Sequence, residues 1–98
     1  MSELTRIVKM TFIPEKVNDF LEVFKSSAEI IRNFEGCKHM HLLKDMNVDN
    51  VYYTHSIWEN EESLNKYRNS SVFREIWSKT KVNFEKKAEA NSLVKMPW

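Results

Sequence analysis

A chain of 98 residues, 42% hydrophobic and 30% charged, makes one globular domain over 1–98 and leaves no room for a second. Its 15 basic and 14 acidic residues nearly cancel and form no Lys/Arg cluster, which argues against nucleic acid or an anionic membrane as a partner. A single glycine excludes phosphate-cradling loops and dinucleotide fingerprints, because those need several glycines for backbone to approach the phosphates.

The opening "MSELTRIVKMTF" has no apolar core of a secretion signal, and nothing later approaches a membrane span, so a cytoplasmic location is expected. From Leu4 to Phe12 the residues alternate. Arg6, Val8, Met10 and Phe12 share one face, while Thr5, Ile7, Lys9 and Thr11 share the other, which predicts a strand. Pro14 suits a helix entry, where its missing N–H costs nothing. Val17, Phe20, Leu21, Phe24, Ala28 and Ile31 then recur at spacings of three and four, the stripe of an amphipathic helix. Gly36 is expected just past its end, as a left-handed C′ residue.

"CKHMHLL" and "VYYTHSIW" read as two strands joined by the polar turn "KDMNVDN". Cys37, the only cysteine, cannot form an intramolecular disulfide and reads as a small buried residue in a reducing compartment. "ENEESLNKYRNSS" opens a second helical region with acidic residues in its first turn. Ser70 and Ser71 mark a break, after which Phe73, Ile76, Trp77, Thr80 and Phe84 lie down one side. "EKKAEA" reads as surface, and a last strand is expected over 91–96.

The order β-α-β-β-α-β gives an α+β, ferredoxin-like βαββαβ sandwich with both helical regions on one face of an antiparallel sheet. Ile7, Tyr53 and Ile57 then fall on the other face, where an apolar patch calls for cover. Sheet-to-sheet homodimerisation is the simplest cover.

"FEGCKHMHLLKD" and "VYYTHSIWENEESLNKYRNSSVF" resemble the antibiotic-biosynthesis-monooxygenase-like domains of the dimeric α+β barrel superfamily. The shared pattern is a Gly opening the second strand, a Trp closing the third, an acidic helix start, an aromatic or His at Tyr67, and Ser-x-x-Phe at Ser70 to Phe73. The resemblance implies a homodimer forming a dimeric α+β barrel, with a cavity between helices and sheet in each subunit. It also implies, for some members, oxidation of small aromatic, quinol-like or polyketide substrates by dioxygen without metal or flavin. Other members degrade haem, with an Asn on the first strand, the Trp, and an iron-ligating His on the second helix. The matching positions here are Val8, Trp58 and Trp77. Valine offers no hydrogen bond and indole no lone pair for iron, so no cofactor is expected.

The candidate site residues follow. Trp58 plugs the strand–helix corner whatever the function; as a cavity wall it is also a substrate contact, with Trp77 beside it. Tyr67 is a substrate contact and a catalytic candidate, able to orient a phenol or relay a proton; the simpler reading leaves its hydroxyl in water. His41 is the candidate base for deprotonating a phenol or quinol. His39 and His41 share a strand face, and one hairpin register places His55 opposite His41 while the next separates them. A His-x-His pair with no assured third ligand does not make a metal site. The competing function is a non-catalytic dimeric module holding a small hydrophobic ligand.

Overall fold

The computed structural model describes residues 3–98. Strands β1 (Leu4–Phe12), β2 (Cys37–Lys44), β3 (Val51–Trp58) and β4 (Phe84–Leu93) form one sheet in the order β2-β3-β1-β4. All three neighbouring pairs are antiparallel, and helices α1 (Val17–Arg32), α2 (Glu61–Arg68) and α3 (Ser71–Lys81) complete the ferredoxin-like arrangement. A short 3-10 turn, Pro14–Lys16, leads into α1. No helix among the described residues is long and apolar enough to cross a membrane.

The β1 alternation determines the layers. Leu4, Met10 and Phe12 are buried beneath the helices, together with Phe20, Ala28 and Ile31 from the predicted stripe of α1. The core has two packed ends. At one, Phe12 stacks on Phe20 at 4.1 Å and meets the edge of Tyr52. At the other, Leu4, Met40, Trp58, Leu64 and Tyr67 close the corner.

The break at Ser70 has a local cause. Its hydroxyl donates to the Tyr67 carbonyl at 2.6 Å, closing α2, and accepts the Phe73 N–H at 3.1 Å, opening α3. Asn60 caps α2 in the same way, accepting the Ser63 N–H at 2.9 Å.

Two expectations are corrected. β4 begins at Phe84, seven residues before the expected strand start, and "EKKAEA" lies inside it. Its period of two is hidden by register shifts near Lys9, Thr11 and Phe12 of its partner, and its charged residues belong to an exposed edge strand, where charge blocks further pairing. Gly36 is left-handed, with φ +87°, but it is not the helix C′ residue: α1 ends at Arg32 with Asn33 as its cap. The left-handed turn instead brings the chain against Ser63 at the start of α2.

Candidate functional site

Between the two packed ends of the core lies a partly open cavity of about 300 Å³. Small side chains create it: Ala88 and Ala90 on β4, with Thr54 and Ser56 on β3, leave the sheet floor low beneath α1 and α3. Val8, Met10 and Met40 complete an apolar floor, and Phe24, Ile31 and Ile76 hang from the helices.

Trp58, Tyr67 and Trp77 all line this cavity. They belong to a continuous aromatic wall in which Trp58 stacks on Tyr67 at 5.0 Å and Tyr67 meets the edge of Phe73 at 5.2 Å. Phe73 in turn stacks on Trp77 at 5.8 Å, and Trp77 meets the edge of Phe84 at 5.4 Å. Such contacts fix the ring planes, so the wall is preformed.

Trp58 is 1% exposed, and its Nε1–H donates to the Ser56 hydroxyl at 3.0 Å. That bond occupies the indole N–H, which is then not free to donate to a ligand. Burial, reinforced by Cys37, pushes the Tyr67 phenol well above its ordinary pKa. Tyr67 therefore stays neutral at physiological pH, as a donor and not as a base. Cys37 is half-buried, and burial raises its thiol pKa as well.

The histidines stand elsewhere. The hairpin register pairs His41 with His55, and His55 with Ile7 on β1, on the sheet face opposite the helices. His39 stacks on His41 at 4.7 Å and meets His55 edge-on at 5.1 Å. None of them lines the cavity. His41 thus has no reach, within its own chain, to a molecule held there, because the sheet lies between them. No group of metal-ligating side chains among the described residues is placed to hold an ion.

Val8, Trp58 and Trp77, the positions matched to the haem-degrading branch, do meet at one cavity. Yet no imidazole lines it, and Trp77 offers iron no lone pair. The residues present do not fit haem held by that arrangement.

Among the lining residues that the sequence did not single out for the site are Arg6, Ser56 and Arg68. A signal existed for Arg6, a charge on the otherwise apolar face of β1. Ser56 likewise shares a strand face with Trp58 two residues on.

The sequence model of the antibiotic biosynthesis monooxygenase family matches residues 4–78. Among solved structures, a conserved protein from Methanosarcina mazei Go1 is 26% identical, with a TM-score of 0.93 over 98% of this chain and 95% of that one. Rv0793 from Mycobacterium tuberculosis, 11% identical, superimposes with a TM-score of 0.90 over 99% and 98%. SnoaB, a cofactor-independent oxygenase from Streptomyces nogalater, is 17% identical, with a TM-score of 0.85 over 100% and 97%. A search of curated proteins matched none.

Proposed function

The chain belongs to the antibiotic biosynthesis monooxygenase family, and on that premise we propose that its cavity holds a small aromatic or quinol-like molecule and promotes its oxidation by dioxygen. The observation that carries this reading is the preformed aromatic wall from Trp58 to Phe84 above an apolar floor. The likeness of fold to SnoaB supports it. At about 300 Å³ the cavity is at the small end of ligand sites, which run to roughly 1,000 Å³, so one or two fused rings fit better than a large polyketide.

In this chemistry the substrate anion itself reduces dioxygen. The phenol or enol O–H loses its proton, and a ring CH or CH₂ carbon ortho or para to that oxygen takes up O₂ as a hydroperoxide. Loss of water, with cleavage of the O–O bond and of the C–H on that carbon, leaves a carbonyl. The protein orients the ring, excludes water and donates hydrogen bonds to the developing oxyanion. Trp58 and Trp77 orient; Tyr67, held neutral, donates. Oxygen uptake with a panel of quinols and hydroxynaphthalenes tests this. Wild type is expected to exceed the autoxidation rate, and Tyr67→Phe to lose roughly two- to tenfold, the worth of one hydrogen bond. Background rates for every substrate, with stoichiometric ligand binding, would establish the second reading, a non-catalytic module for a small hydrophobic ligand. One observation favours that reading: no carboxylate, imidazole or amine lines the cavity to act as a base.

A homodimer is part of the proposal. Ile7, Tyr53 and Ile57 are half-buried on the helix-free face, beside exposed Leu43 and Leu93. Val94, Met96 and Trp98 follow β4, all exposed, with Trp98 at 95%. Cover by a second copy removes this apolar surface from water. Light scattering is expected to give about 24 kDa, twice the 11.8 kDa chain. Partial burial and the neighbouring His41, His55 and Arg32 hold the His39 pKa below 6.5. Folding of the chain thus favours neutral His39, and the stability this contributes is complete above about pH 6.5 and declines as pH falls below it, which unfolding compared at pH 7.5 and pH 5 should register. A 12 kDa species at neutral pH and micromolar concentration contradicts the dimer.

A further inference from the structure

The cavity lining is mostly apolar, broken by the hydroxyls of Thr54, Ser56, Tyr67 and Thr80 and by one cationic corner. Arg6 projects from the inner face of β1, between Leu4 and Val8, where a charge loses hydration without gaining an acid partner. Among the described residues its one side-chain hydrogen bond goes to a neutral acceptor, the Ser92 hydroxyl at 2.9 Å, so most of its five N–H donors find no acceptor there. Arg68, in the last turn of α2, lines the same cavity from the exposed side. Among the described residues its guanidinium has neither hydrogen bond nor ion pair, and every ion pair there uses other cations.

No acidic side chain lines the cavity. Burial, and then repulsion from Arg68, lowers the Arg6 pKa. Two like charges are thus held near each other with no counter-ion. The helix dipole accounts for a cation in the last turn of α2, but not for Arg6 or for the missing carboxylate. A third group points the same way. Ser56 is buried beside Arg6 in the β1–β3 ladder, its oxygen accepts the Trp58 N–H, and its own proton has no acceptor among the described residues.

We infer that Arg6 and Arg68, with the Ser56 hydroxyl, form an anion subsite, so that the ligand is an aromatic acid or an acidic phenol or enol. Its anionic oxygens lie at the guanidiniums and its ring on the aromatic wall. The inference rests on the cavity being the ligand site, but not on oxidation occurring there. It also supplies what the lining lacks. With no base present, two cations lower the substrate's own pKa: the O–H bond breaks, the proton passes to water at the Arg68 side, and the electron pair stays on the oxygen.

The test is equilibrium binding of two redox-inert probes, 2-naphthoate and its neutral isostere 2-naphthamide, read by quenching of tryptophan fluorescence. Naphthoate is expected to bind roughly tenfold or more tightly than the amide, as a charge-assisted hydrogen bond requires. Arg68→Gln and Arg6→Gln should each shrink that preference several-fold while leaving amide affinity within about twofold, and the double variant should erase it. Exposed Arg68 keeps the test decisive should Arg6→Gln unfold. Equal affinity for the two probes, an undiminished preference in Arg68→Gln, or binding of neither probe overturns the subsite. Oxidation failing while naphthoate selectivity holds would overturn the monooxygenase reading alone.

Discussion

Trp58→Ala is expected to destabilise the protein by about 3–5 kcal/mol, the usual cost of emptying a large aromatic site in a core. Trp58 is 1% exposed and touches both Phe34 and Tyr67 through ring contacts. Its removal leaves Tyr67 without its stacking partner and Ser56 without its donor. A domain of this size has roughly 5–15 kcal/mol in total, so the loss is a large share of stability. Thermal unfolding should fall by roughly 4–8 °C per kcal/mol. Trp58→Phe keeps a ring against Tyr67 and loses the Ser56 bond, so it should cost about 1–2 kcal/mol. If both variants melt like wild type, the corner is not packed as described.

Gly36→Ala comes next in size. Two independent penalties meet there. A φ of +87° strains any residue with a Cβ, by about 1–3 kcal/mol. The added methyl would also collide with the Ser63 side chain, at both its Cβ and its Oγ, and overpacking of this kind costs about 1–3 kcal/mol. The Gly36 carbonyl accepts the Glu59 N–H at 2.8 Å, so any shift of this turn disturbs the β3–α2 junction as well. Denaturant unfolding of Gly36→Ala, Ser63→Gly and the double variant separates the terms. The double variant should recover the collision and retain the strain; strict additivity of the two single effects would show that no collision exists.

These two positions also show which features sequence could reveal. The stretch from Ser56 to Phe73 was readable because each residue type there has a local reason. Trp58 ends a strand, Asn60 and Ser70 cap helices, and Phe73 begins the next apolar stripe. The left-handed conformation of Gly36 was equally legible, but its purpose was not, since Ser63 is distant in sequence and close only in the fold. β4 was misplaced for a related reason. Its inward positions carry alanines, which give a weak hydrophobic signal, and register shifts break the alternation that a strand otherwise displays.

The histidines illustrate the limit more sharply. Their clustering depended on one register, and the observed pairing of His41 with His55 does bring the three together. Which sheet face they occupy followed from the same pairing, and it carries them away from the cavity. Arg6 was visible as a charge on an apolar face, but its meaning required Arg68, sixty-two positions away in numbering and brought to the same cavity by α2. A cationic corner without a carboxylate is a property of the assembled layers, and no single segment displays it.

The measurement that bears most directly on the central claim is isotopic. Under ¹⁸O₂, turnover of a hydroxynaphthalene that supports oxygen uptake should place one ¹⁸O atom in the product carbonyl and the other in water, and 2-naphthoate should suppress that incorporation. Product oxygen drawn from solvent water, or label appearing no faster than in the absence of protein, would contradict a monooxygenase working in this cavity.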